Sequence, residues 1–378
     1  PVHLLRYADR SPVDSLRPDF QLVNRSSLHF SATELEICPS AQGYAHAMQV
    51  GYELTPDLAD AFAHFLQGRT LWFVASEQWS EFIFEQLAFC RALHERGAMG
   101  RVLYDLPIAR LADSIRRGER WQPPIFGVKQ KTVGWDDDLI GRVERAGLME
   151  YLHSGEHWPE AVGEAVVFRF GYLECFEPHR LERLQIWQER GATFLNPLSF
   201  LHENKTLLAA LHLPEVRAAI RDRAPTALEQ LSEAIPETYL LTEDMLPKLI
   251  AEQSLWILKF AGFDAGNQAW GGRSLQIGAQ LSPTRWAEVV SRYLQLPFPV
   301  VAQRLTPSQS VSIDFVAANG EVRQLHNGTT RLRTFFLRQP DGGCAAIGSH
   351  ITVSGGTLQV SEATDAVQTA VVFVESAE

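Results

Sequence analysis

The chain has 378 residues, 46% hydrophobic and 21% charged, with 34 Lys and Arg against 45 Asp and Glu for a formal net charge of −11. This is ordinary globular usage, which excludes a disordered or fibrous chain and predicts two or three domains. The longest apolar runs, such as Ala165 to Phe168, fall far short of a membrane span, and the acidic balance lacks any basic run beyond Arg116-Arg117, so neither membrane nor nucleic acid is an expected partner.

Four cysteines without CxxC spacing fit neither a zinc site nor a disulfide framework. Together with an N-terminus that has no apolar signal segment, they predict a cytoplasmic protein.

Residues 1–50 show little periodicity and read as loops and short strands. Thr55-Pro56-Asp57 reads as an N-cap, a proline at the first helical position and an acid in the first turn. Leu58, Ala61, Phe62, Phe65 and Leu66 then form one apolar stripe, closed by Gly68. Thr70 to Ala75 is a buried strand, Gln78 to Arg96 a helix ending at Gly97, and Arg101 to Tyr104 a second strand. Strand, helix and strand at this spacing predict a parallel βαβ unit. Helices are expected over residues 110–117 and 136–153.

A second alternating region starts near residue 160. Strands are expected at 165–170, 192–195, 238–241 and 255–260, with helices at 179–190, 205–212, 215–221, 226–235 and 243–252. After a glycine-rich stretch comes a helix at 283–294. The chain then turns to strands at 300–303, 310–316, 321–325 and 332–337, with weaker ones to residue 374. The fold class is α/β passing into α+β.

Several residues stand out chemically. Asn196-Pro197 follows a strand, and Asn204-Lys205 opens a helix. Lys259 closes the apolar run Leu255-Trp256-Ile257-Leu258, where a lysine needs an anionic partner or a shifted pKa. The stretch AGFDAGNQAWGG follows, carrying Gly262, Gly266, Gly271 and Gly272. Such glycines let backbone N–H groups approach a polyphosphate, although neither GxxxxGK[ST] nor GxGxxG is present. Gln303 ends the run Val300-Val301-Ala302. Asp314 and Asn327 flank an Asn319-Gly320 hairpin signal and offer oxygen ligands for Mg²⁺. Arg331 and Arg333 alternate with Leu332 and so face one way. Each of these residues also has a plain structural role: a surface lysine, a hairpin turn, a strand-end polar group, a solvated sheet edge.

The order of the motifs resembles the ATP-grasp superfamily, and within it the glutathionylspermidine synthetase-like branch and its circularly permuted relatives. FLNPLSFLHENKTLLAAL, WILKFAGFDAGNQAWGG and PVVAQRL carry the resemblance, over roughly residues 160–340. It implies an N-terminal pre-ATP-grasp region over 1–155 and an ATP-grasp-like module over 156–378, with a lid near 200–280. It implies ATP held by Lys205, Lys259, Gly266, Gly271, Gly272 and Gln303, and Mg²⁺ held by Asp314 and Asn327. Arg331 and Arg333 would stabilise an oxyanion. The implied activity is an ATP-dependent ligase joining a small carboxylate, an amino acid or peptide, to an amine through an acyl phosphate. The chain departs from the family at Leu325-His326-Asn327, where Glu-x-Asn is expected. Leu325 cannot ligate a hard cation, so in a working ligase Glu321, His326 or the substrate carboxylate must supply the missing ligand. The other outcome implied is a non-catalytic ATP-binding protein with a degenerate metal site.

Overall fold

A computed structural model describes residues 6–24, 28–75, 82–104, 139–153, 157–262, 274–317, 319–355 and 366–372. Its strands are β1 (Ser15–Asn24), β2 (Leu28–Glu36), β3 (Thr70–Ala75), β4 (Met99–Tyr104), β5 (Leu152–His153), β6 (Val166–Phe170), β7 (Thr193–Phe194), β8 (Thr238–Leu240), β9 (Trp256–Phe260), β10 (Gln276–Ile277), β11 (Val300–Arg304), β12 (Val311–Val316), β13 (Val322–Arg338), β14 (Cys344–Gly355) and β15 (Ala366–Ala370). Its helices are α1 (Gln42–Gly51), α2 (Leu58–Leu66), α3 (Ile83–His94), α4 (Leu139–Arg145), α5 (Pro178–Glu189), α6 (Thr206–Ala210), α7 (Pro214–Arg223), α8 (Pro225–Ala234), α9 (Leu246–Ala251) and α10 (Pro283–Leu294).

Three sheets organise these elements. The first is parallel, in the order β5-β4-β3-β6-β7, and β3 pairs with β4 across α3. Its central strands are buried on both faces, which is why they read as continuous apolar runs. α3 ends as the sequence predicts: Gly97 takes φ 75, and the Ala98 N–H reaches the Leu93 carbonyl. α2 starts two residues later than expected. Asp57, not Thr55, is its N-cap, locked in a reciprocal capping box with Asp60.

The second sheet is antiparallel, in the order β10-β9-β11-β8. α9 and α10 cover one of its faces, burying Leu249, Trp256, Leu258, Trp286, Val290 and Ala302 together. α10 occupies the stretch its apolar spacing predicts, capped by Ser282.

The third sheet is antiparallel, in the order β15-β14-β13-β1-β2, with β12 also on β13. Here the N-terminal residues depart from expectation, because two long strands and α1 replace loops and short strands. β13 is likewise one 17-residue strand rather than two. β1 lies between β2 and β13, so a boundary at residue 155 cuts through hydrogen-bonded neighbours. The expected helix over 110–117 lies outside the described residues. No helix among the described residues is long and apolar enough to cross a membrane.

Candidate active site

β1 and β2 put their charged side chains on one face. Arg17 stands opposite Glu36 and Asp19 opposite Glu34, with a bulge just beyond. β13 adds Arg333 directly across from Asp19, with Arg331 two residues earlier. The alternation that separates Arg331 and Arg333 from Leu332 therefore holds, but both guanidiniums point at a carboxylate rather than at solvent. Asp19 is 4% exposed. It lies 3.5 Å from Arg17, 3.5 Å from Arg331 and 3.4 Å from Arg333. Burial alone would raise its carboxyl; the three guanidiniums outweigh that and hold it below its ordinary range.

Two lysines approach this face from other elements. Lys205 caps α6 and reaches Glu34 at 2.7 Å. Its backbone N–H donates to the Ala261 carbonyl at 2.8 Å, which ties the start of α6 to the exit of β9. Gly262 makes that approach possible, since its φ is 124 and a Cβ there would lie 2.7 Å from Asn204 Nδ2. Lys259 leaves β9 toward β2, donating to Gln303 Oε1 at 2.8 Å and to the Thr33 carbonyl at 3.2 Å. Gln303 is fully buried and its amide donates to Thr238 Oγ1 at 3.0 Å. Burial first, then the neighbouring Lys205 and Arg331, pull the Lys259 ammonium down to about 8 against the attraction of Glu34 and Asp19. Glu34 stays below its ordinary value because Lys205 outweighs its burial.

Behind these charges sits a row of buried acids. Glu36 accepts from the Tyr172 hydroxyl and from the Cys38 N–H, and burial, with Glu34 beside it, raises its carboxyl. Glu203 pairs with the buried guanidinium of Arg169 and accepts from the Leu173 N–H, and burial pushes it up to about 7.

A cavity of about 700 Å³ lies along the same face of β1 and β2. Val23, Ser31, Ile235, Arg304, Leu305 and Thr306 line it. Ser31 pairs with Gln21, two residues on from Asp19, while Arg304 points to the opposite face of its sheet from Gln303 and Lys259, over the Trp256 ring, so the cavity is separate from the charged cluster.

Of the site residues expected from the sequence, Lys205, Lys259, Gln303, Arg331 and Arg333 come together. Gly266, Gly271 and Gly272 lie outside the described residues. Asp314 and Asn327 are placed apart from the cluster. Both are exposed on the β12–β13 hairpin, where Asp314 stands opposite Gln324, three residues before Asn327. About 13 Å of extended strand separate Asn327 from Arg331. The Asn327 N–H faces Ser312 Oγ at 3.5 Å, a hydroxyl rather than an acid. Leu325 pairs with Ile313 and packs over Gly328, where a Cβ would come within 2.4 Å of it. A packing position explains its apolar character.

The sequence reading missed Arg17, Asp19, Glu34 and Glu36. Their signal is the alternation of Arg17 and Asp19 with Leu16, Phe20 and Leu22, followed by Glu34-Leu35-Glu36 on the returning strand. Among the described residues no group of three or more His, Cys, Asp or Glu side chains is placed to hold a metal ion. Asp19 and Glu34 are two ionised oxygen donors side by side, which suits Mg²⁺ arriving with phosphate oxygens.

No protein-family model matches this chain, and no curated protein matches it in sequence. Among solved structures it is similar to a gamma-glutamylcysteine synthetase candidate of Methylobacillus flagellatus KT, with 11% identity and a TM-score of 0.47 over 91% of this chain and 76% of that one. It is similar to the carboxyaminoimidazole ribonucleotide synthase of Aspergillus clavatus complexed with ATP, with 10% identity and a TM-score of 0.29 over 76% and 81%. D-alanyl-alanine synthetase A of Vibrio cholerae O1 gives 10% and 0.29 over 74% and 87%. All three values lie in the range of a loose likeness of chain course, so function has to be argued from the residues themselves.

Proposed function

We propose that the chain is an ATP-dependent carboxylate–amine ligase of the ATP-grasp type, circularly permuted so that the hairpin bearing the acidic residues comes first. One observation carries this reading. Arg17, Lys205, Lys259, Arg331 and Arg333, drawn from four separate segments, converge on three carboxylates, Asp19, Glu34 and Glu36, and so outnumber them. Burying unbalanced positive charge costs folding energy. An anionic ligand offsets that cost, and a polyphosphate is the anion that several cations along one face would hold.

In this reading the phosphates run over Lys259 and Lys205, which reach the same face of β2. Asp19 and Glu34 would hold Mg²⁺, which would supply positive charge to offset the phosphates there. Arg331 and Arg333 would face the developing oxyanion. A substrate carboxylate oxygen bonds to the γ-phosphorus while the bridging P–O bond to ADP breaks. The amine nitrogen then bonds to the acyl carbon, and the C–O bond to phosphate breaks with its electron pair leaving on phosphate. The amine proton goes to solvent or to the departing phosphate. Leu325 gives no ground for a degenerate enzyme, because its hairpin is not where the acids and lysines meet.

ATP with Mg²⁺ is expected to raise the thermal midpoint, a ligand at a hundred times its Kd stabilising by about 2.7 kcal/mol. Lys259→Ala is expected to remove most of that rise. A wild-type midpoint unchanged at millimolar ATP overturns the reading.

A further inference from the structure

The third sheet ends in two different edges. Against β2 lies α8, where His29 Nε2 stands 2.9 Å from the Glu233 carbonyl. At the other end β15 pairs, among the described residues, with β14 alone. The Val371 N–H donates to the Ser349 carbonyl at 3.4 Å, and bonded and non-bonded pairs alternate along an antiparallel ladder. Ala366, Gln368 and Ala370 therefore turn their N–H and C=O groups away from β14. An open edge of this kind is ordinarily blunted by charge, proline or a bulge. Residues 366–372 read AVQTAVV, with neither charge nor proline, and their register on β14 runs without a shift.

α1 packs over β14 and β15 and has the same character. Thr369 Oγ1 donates to the hydroxyl of Tyr52, just past the end of α1, at 3.0 Å. No Lys, Arg, Asp or Glu occurs from Ile37 to Tyr52, yet Tyr44, Val50 and Tyr52 are 55%, 53% and 61% exposed. The solvent side of a surface helix is ordinarily polar or charged. Val372, at the end of β15, is exposed as well. On a chain of net charge −11, an uncharged area is where two copies can meet without repelling one another.

We propose that the β15 edge and the α1 face form the surface for a second copy of this chain, β15 pairing antiparallel with its own counterpart to join two sheets into one. The outward groups set the register: Gln368 faces its counterpart across a two-fold axis, and Ala366 faces Ala370. That axis stands perpendicular to the joined sheet, so both α1 helices lie on one face of it, on either side of the seam. With strands about 4.8 Å apart and α1 over β14 and β15, the two helix axes come about 10 Å apart, a helix-packing distance. A foreign strand would fill the edge but leave α1 bare, whereas a second copy covers both. This surface goes beyond the ligase reading and does not rest on it.

Sedimentation velocity and light scattering of the full chain test it, with a dimer expected at micromolar concentration. Gln368→Lys sets like charges against each other on the axis and is expected to weaken association about a hundredfold or more. Ala370→Pro removes an outward N–H that the chain's own ladder does not use. It is expected to weaken the dimer while the circular dichroism stays that of wild type. Gln324→Lys, exposed on the β12–β13 hairpin, should leave the dimer intact. Hydrogen exchange supplies a second readout: the Gln368 and Ala370 amides should exchange slowly in the dimer and fast in Gln368→Lys. A chain that stays monomeric overturns the proposal, whether its β15 edge is protected by something else or not. A dimer indifferent to both edge variants, or one whose Gln368 and Ala370 amides exchange freely, overturns it as well.

Discussion

The β1–β2 hairpin and the β12–β13 hairpin carry similar residues and meet different fates. Each is antiparallel, belongs to the same sheet and presents an Asp with a polar partner across the turn. Asp19 is buried beneath three guanidiniums and beside two lysines, whereas Asp314 stands exposed at a sheet margin paired only with β13. The residue types and their spacing do not make the site; the cations that other elements bring over one hairpin do. Inside the cluster low polarity strengthens each charge, and on the exposed hairpin water screens it.

The sharpest way to break this comparison is to mutate the two hairpins in parallel. Asp19→Asn and Glu34→Gln keep shape but remove charge. Each is expected to lower substrate-stimulated ADP release by about a hundredfold or more, the scale of a lost charge-stabilising group. Asp314→Asn and Asn327→Ala are expected to stay within about twofold, as exposed substitutions away from a site do. A large loss on the second hairpin and none on the first would reverse the assignment.

A smaller effect sharpens the role of Lys259. Its ammonium, lowered to about 8, loses charge at a pH where an exposed lysine keeps it. ATP affinity should therefore fall as pH rises above about 8, and Lys259→Arg should hold its affinity there. The stability of the free protein runs the other way. Between about 8 and the ordinary lysine value the unfolded chain binds more protons than the folded one, so the Lys259 contribution rises with pH. Titration calorimetry at pH 7, 8 and 9 in wild type and Lys259→Arg checks both signs.

Much of this was legible in the chain and part of it was not, for a physical reason. Strands buried on both faces, such as β3, β6 and β11, announce themselves as apolar runs, and α10 announces itself by its spacing and Ser282 cap. Lys259 was visible because a charge inside such a run is anomalous. β1 and β2 were hidden because their buried face is charged. Arg17, Asp19, Glu34 and Glu36 look like surface residues until the lysines that cover them are in place, and Pro18 further blurs the strand. The expectation of a metal hairpin rested on Asp314 and Asn327, which the structure leaves exposed and apart from the charged cluster.

The smallest expected effect lies just outside the cluster. Glu85 accepts from the Ala41 and Gly43 N–H groups and so ties α3 to the start of α1; burial raises it to about 7. The folded chain then binds more protons than the unfolded one between about 4.5 and 7, so this contribution falls as pH rises through that window. Glu85→Gln, which removes the titration but keeps only one of the two acceptor oxygens, should lower the midpoint and flatten its dependence on pH there by a few degrees.

The central claim is that the cluster on β1, β2 and β13 holds a nucleotide polyphosphate with Mg²⁺. Its most direct test is calorimetric titration of ATP, with and without Mg²⁺, into wild type and into Asp19→Asn/Glu34→Gln. Mg²⁺ should strengthen ATP binding in wild type at least about tenfold, and that gain should vanish in the double variant while metal-free binding persists on the lysines. Equal dependence on Mg²⁺ in both proteins would contradict the account.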